Sequence, residues 1–137
     1  MYDRVGHVLK RAQAALRASM DEKLAAKGLN TPQFAALFAL KREPGLSNAD
    51  LARRAFVTPQ TMIRIVEGLE SRGLIVRTPH STHGRVLETS LSASGKKLVT
   101  ACSQRVIDVE ARMLRLLSAR EQRQLFELLN RCVEGLE

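Results

Sequence analysis

Residues 58–73 read Thr58-Pro59-Gln60-Thr61-Met62-Ile63-Arg64-Ile65-Val66-Glu67-Gly68-Leu69-Glu70-Ser71-Arg72-Gly73. The stretch opens on a capping residue followed by proline, which suits the first turn of a helix because its missing N–H has no partner there anyway. It closes on Gly73, the residue type favoured just past a helix end. Met62, Ile65, Val66 and Leu69 fall on one face at helical spacing, which predicts a core-facing side. Gln60, Arg64, Glu67 and Ser71 share the opposite face, flanked by Thr61 and Ile63. A helix fits the major groove of DNA, where Gln can pair with adenine, Arg with guanine and an apolar Ile with a thymine methyl. The alternative is an ordinary amphipathic helix with a solvated polar side. It loses weight because Ile63, large and β-branched, sits on the flank of that side, and because of the elements on either side.

Upstream, Ser47-Asn48-Ala49-Asp50 resembles a capping box with Asp in the last place, and Leu51 and Ala52 follow it, which predicts a short helix. Before that, Asn30-Thr31-Pro32 opens a helix that runs through Phe34, Leu37, Phe38 and Leu40 and stops before Pro44-Gly45. The first helix is expected over residues 4–27, with Val5, Val8, Leu9, Ala12, Leu16, Met20 and Leu24 in register and Gly28 at its end. Downstream the period changes. Residues 74–78 and 85–91 are strand candidates around a polar turn, together a hairpin of about 18 residues. Ser92 then caps a helix expected to run for about 25 residues, with an apolar stripe of Leu98, Ala101, Cys102, Val106, Val109, Met113 and Leu116. Ser118-Ala119-Arg120-Glu121 is a full capping box for a last helix that carries Leu125, Leu128, Leu129, Cys132 and Leu136. Helix, turn, helix and two-stranded hairpin in this order is the winged helix-turn-helix plan. The fold class expected is mainly α with a small β-hairpin wing, flanked by dimerisation helices. Long apolar stripes at both chain ends surround a lobe too small to cover them, so a homodimer is expected.

Composition agrees. The chain has 137 residues, 45% hydrophobic and only 4% aromatic, which suits one domain with an aliphatic, helical core. The longest apolar run, Phe34 to Leu40, is far short of the roughly 20 residues a membrane span needs, and no cleavable leader pattern opens the chain. The expectation is a cytoplasmic protein with no membrane partner. The formal net charge is +8, which points to a polyanion. Residues 47–85 hold Arg53, Arg54, Arg64, Arg72, Arg77 and Arg85 against Asp50, Glu67 and Glu70, whereas residues 86–137 are nearly neutral. Cys102 and Cys132 belong to no Cys/His cluster, and both lie beside apolar neighbours, so both are expected to be buried structural residues. His80 and His83 lack a third ligand nearby and are expected in an exposed turn. No metal site or cofactor is expected.

These segments are familiar in combination. Thr31-Pro32-Gln33-Phe34 with Leu37 and Leu40, then Leu51-Ala52-Arg53-Arg54, Thr58-Pro59-Gln60-Thr61-Met62, Leu69-Glu70-Ser71-Arg72-Gly73-Leu74-Ile75 and Leu91-Ser92-Ala93-Ser94-Gly95 stand in the order and spacing of the MarR family. The chain resembles that family of winged-helix transcriptional regulators closely over about residues 28–98, and by helix length and position outside them. The resemblance implies one MarR-like domain over residues 1–137, with a winged helix-turn-helix lobe at 28–98 and dimerisation helices at 1–27 and 99–137. It implies a sequence-specific regulator, most often a repressor, that binds double-stranded DNA as a homodimer. The DNA-contacting set expected is Ser47, Thr58, Pro59, Gln60, Thr61, Ile63, Arg64, Arg77 and Arg85. Arg85 maps to the wing-tip Arg that enters the minor groove, where negative potential favours it. The family pattern has an Asp shortly before that Arg, where this chain reads His83-Gly84-Arg85. Many members release DNA when a small aromatic or anionic effector binds between the dimerisation helices and the lobe. The candidate lining for that effector is His7, Arg11, Phe34 and Phe38; the alternative is that His7 and Arg11 are solvated helix residues and the two Phe plain core. The family's peroxide sensors use a Cys near the N-terminus, and this chain has none before Cys102.

Two other classes compete. A winged-helix adaptor that binds protein would favour a neutral or acidic helix face and no wing Arg; Arg64 and Arg85 speak against it, Glu67 for it. An enzyme would need a nucleophile and base, a phosphate-cradling loop or a metal set, and no such constellation is written in the sequence.

Overall fold

Local capping sets most of the element boundaries. In the computed structural model, which describes residues 3–79 and 87–137, Asn30, Ser47, Thr58, Ser92 and Ser118 each accept a hydrogen bond from the backbone N–H three residues on. Each bond satisfies a donor that the first helical turn would otherwise leave unpaired. Two of these caps are reciprocal boxes, with Gln33 answering Asn30 and Glu121 answering Ser118. The resulting order is α1 (Val5–Ala25), α2 (Thr31–Arg42), α3 (Asn48–Ala55), α4 (Pro59–Ser71), β1 (Ile75–Pro79), β2 (Leu87–Leu91), α5 (Ala93–Met113) and α6 (Ala119–Leu136). Gly73 stops α4 in the left-handed region at φ 72°, a conformation open to glycine without steric cost. β1 and β2 pair antiparallel, Ile75 opposite Leu91 through Pro79 opposite Leu87.

One core joins all three parts of the chain. Leu24 of α1, Leu37 and Leu40 of α2, Leu51 of α3, Met62 and Leu69 of α4, and Val99 and Cys102 of α5 are its largest fully buried members. α1 lies along α5, α2 packs on α3 and α5, and α3 packs on α4. The hairpin is sewn to this body at the start of α5. Ser92 and Ser94 both donate to the Gly73 carbonyl, at 2.6 and 2.9 Å, and the Ser92 N–H bonds to the Leu74 carbonyl at 3.0 Å.

The expected stripes differ from the observed ones in instructive ways. α5 has 21 residues and ends at Met113, so Leu116 falls in the following turn and is 84% exposed. Ala101 is exposed, and Val99 takes the buried place on that helix. Of the α1 stripe only Leu24 is buried; Leu16 and Met20 are half-buried, and Val5, Val8 and Leu9 face outward. α6 buries none of its residues within the chain. Cys102 is buried as expected, and desolvation pushes its thiol pKa up, which keeps it protonated and unreactive. Cys132, expected buried, is exposed on α6, because the chain alone supplies nothing to cover that helix.

Asp21 supplies a cap that sequence spacing does not reveal. Its carboxylate accepts from both the Thr31 N–H (2.7 Å) and the Thr31 hydroxyl (2.6 Å), tying α1 to the start of α2. The Thr31 hydroxyl bond, outweighing desolvation and aided by the Thr31 N–H and Arg17, holds the carboxyl below its ordinary value of 3.8. The side chain is 39% exposed, so solvent screening limits the gain. We expect Asp21→Ala to cost about 1 kcal/mol at neutral pH. A depressed folded pKa gives stability that is present above the unfolded value and lost as pH falls through the folded one. The difference between parent and variant in urea unfolding, at fixed protein concentration, should therefore narrow below about pH 4.

Candidate nucleic-acid interface

The helix start that would meet DNA is built from hydroxyls. The Thr58 hydroxyl oxygen accepts from the Thr61 N–H at 3.1 Å and donates to the Thr61 hydroxyl at 2.9 Å, with Pro59 in the first turn of α4. The Asn48 side chain of α3 donates to the Pro59 carbonyl at 3.0 Å, so the two helix starts are locked together. Ser47 is the α3 cap and also donates to Asp50, whose other oxygen pairs with Arg53. Both helix N-termini carry partial positive charge that favours an anion such as phosphate.

Along α4 the period assigns each residue its side. Met62, Val66 and Leu69 are buried and Ile65 is half-buried, while Gln60, Thr61, Arg64, Glu67 and Ser71 are exposed. Ile63 is 47% exposed among them. The face thus offers an amide, a hydroxyl, a guanidinium and an apolar branch within two turns, a set able to read base edges. Arg77 is placed differently from a free contact. Its Nη2 and Nε donate to the two oxygens of Glu70 at 2.9 and 3.2 Å, clamping β1 to the last turn of α4. That hydrogen bond raises the Arg77 pKa and lowers that of Glu70. Arg85, His80 and His83 lie outside the described residues.

A separate cavity of about 650 Å³ opens between α1, α2, α3 and α5. Phe34 and Phe38 stack on its α2 side, with ring centroids 5.7 Å apart. Arg42, Arg54, Ser103 and Glu110 bring polar groups to its rim, and Met20, Val106 and Ile107 complete the apolar wall. Arg54 is also paired with Glu43. The structure does not bring His7 and Arg11 to this cavity. α1 meets it at Met20, and a rise of about 1.5 Å per residue leaves Arg11 roughly 13 Å further up the helix. Arg42 was legible in principle, since Phe34, Phe38 and Arg42 recur every four residues on one side of α2. Arg54 and Ser103 come from other elements and carry no such signal. Among the described residues no group of three or more His, Cys, Asp or Glu could hold a metal ion, and no helix is long and apolar enough to cross a membrane.

Known proteins agree with this architecture. The model of the MarR family matches residues 27–86. The HTH-type transcriptional repressor Rv2887 of Mycobacterium tuberculosis is 37% identical over 127 residues, 93% of this chain and 91% of the relative. The crystal structure of Rv2887 in complex with salicylic acid matches with a TM-score of 0.81 and 36% identity, covering 96% of this chain and 99% of that one. The structure of Rv2887 in complex with DNA matches with a TM-score of 0.79 and 35% identity, over 94% and 97%. With this identity maintained across nearly the whole of both chains and on the same fold, the chain belongs to the MarR family of winged helix-turn-helix transcriptional regulators.

Proposed function

We propose that this chain is a homodimeric repressor of transcription, working in the cytoplasm and without catalytic activity, that binds double-stranded DNA sequence-specifically. Residues 28–98 form its DNA-binding lobe, and residues 1–27 and 99–137 supply the dimer contacts. The observation that carries the reading is the outward side of α4, where Gln60, Thr61, Ile63 and Arg64 stand exposed just beyond the Thr58 cap. Ser47, Thr58 and Pro59 sit at helix starts suited to phosphate. Arg77 acts first by holding the wing to α4 and contributes its charge from there. Arg85 supplies the minor-groove contact. The cavity beside Phe34 and Phe38 suits a small aromatic acid, with ring against ring and carboxylate toward Arg42 or Arg54. A ligand there touches α3 as well as α1 and α5, so it can shift the lobe against the dimerisation helices. This is in keeping with the salicylic acid complex of the relative.

The test is affinity for a selected and a scrambled duplex at several salt concentrations, with and without an aromatic carboxylic acid. Arg64→Ala should cost about 1–3 kcal/mol on the selected duplex and relax preference at one base position. An equal loss on both duplexes would make Arg64 a phosphate contact. Salt-independent or absent binding of every duplex by the parent would overturn the DNA-binding reading.

A further inference from the structure

Phe56 is the residue between α3 and α4 that the fold itself does not use. It is 94% exposed, the highest value among the large hydrophobic residues of the described chain. It also holds the left-handed conformation, φ 56° and ψ 42°, and is the only described non-glycine residue with positive φ. The Phe56 N–H bonds back to the end of α3 and the Val57 N–H to the Ala52 carbonyl at 3.1 Å, so Phe56 occupies the turn position that closes the helix. Gly is the usual occupant of such a position and Asn the next, because a Cβ is crowded there. A bulky aromatic adds conformational strain and, when it touches almost nothing in its own chain, gains no packing to offset it. The strain therefore points to a contact outside the chain.

The position says which contact. Phe56 stands two residues before the Thr58 cap of α4. Within residues 48–71 the exposed large apolar side chains are Phe56 and Ile63, whereas most of the others lie on α1, α5 and α6. Arg53 and Arg54 precede it, paired with Asp50 and Glu43, and Arg64 follows eight residues on, on the outward side of α4. We propose that Phe56 is an apolar contact to duplex DNA, seated against deoxyribose and thymine-methyl surface beside the bases that α4 reads. The contact rests on the DNA-binding role argued above. It adds affinity and a preference for thymine at the edge of each half-site without adding charge.

Phe56→Gly tests this, because glycine keeps the left-handed turn and removes only the ring. The variant should bind the selected duplex about tenfold more weakly, as partial burial of a phenyl group implies. Its salt dependence should equal the parent's, since no cation is lost. Its thermal midpoint should equal or exceed the parent's. Phe56→Tyr, which keeps the ring, should recover affinity to within about threefold of the parent. Arg64→Ala runs alongside. If Arg64→Ala weakens binding and Phe56→Gly does not, the Phe56 contact is overturned and DNA binding stands. If the parent binds no duplex, the DNA-binding reading fails and the contact with it. A lower thermal midpoint or a changed sedimentation coefficient for Phe56→Gly would mark a packing or subunit contact and likewise overturn the proposal.

Discussion

Gly95→Ala is expected to destabilise the fold by about 3 kcal/mol or more, with a fall in thermal midpoint of roughly 10 °C. Gly95 is buried in the first turn of α5, against the chain that leaves α4. A Cβ built there would lie 2.1 Å from the Leu74 carbonyl oxygen and 3.1 Å from its carbon. The obstacle is backbone, so no rotamer change relieves it. Retreat of α5 would break the Ser92 and Ser94 bonds to the Gly73 carbonyl and the Ser92 bond to Leu74. Gly68 provides the contrast. It lies inside α4 with nothing within 4 Å of the Cβ position, so Gly68→Ala should stabilise by about 0.5–1 kcal/mol through helix propensity. Urea unfolding of both variants at one protein concentration checks the pair. Equal effects of one sign would mean that α5 does not press on Leu74.

Leu129→Asp should raise the dimer dissociation constant about 100-fold or more, because a carboxylate would have to be buried in an apolar interface. The motive is α6. None of its residues is buried in the chain, yet Phe126, Leu128, Leu129, Val133 and Leu136 are all exposed. An 18-residue helix is marginal in water without a partner for its apolar face. Leu129 and Leu125 border an apolar hollow with Val5, Leu9 and Met113 that continues the exposed surface onto α1. A second copy of the chain offers the matching surface, as an isologous dimer requires. Sedimentation at micromolar concentration should show the parent at about twice the 15.2 kDa chain mass and the variant smaller or unfolded. Binding to a two-half-site duplex should fall about 100-fold or more, since each subunit then binds alone. A variant that stays a dimer of parental stability would place the interface elsewhere.

What could be read from the sequence was whatever is decided within a few residues. The caps at Asn30, Ser47, Thr58, Ser92 and Ser118 are bonds across three residues, so residue type and spacing reveal them, and the helix starts follow. The inward and outward sides of α4 follow from the helical period, and with the element order they determine the winged-helix plan. Tertiary structure decided everything that joins distant segments. Glu70 claims Arg77 across the α4–β1 turn, the carbonyl of Leu74 leaves no room for a Cβ at Gly95, and Asp21 caps a helix ten residues away. The cavity wall draws on four helices, which is why sequence spacing does not point to Arg54 and Ser103, and within the chain it lies away from His7 and Arg11. The stripes on α1 and α6 were visible as stripes, but their burial depends on what packs against them, and periodicity names a face without naming its partner. Side-chain exposure at a turn, as at Phe56, is likewise set by how the two helices around it pack rather than by the turn's own residues.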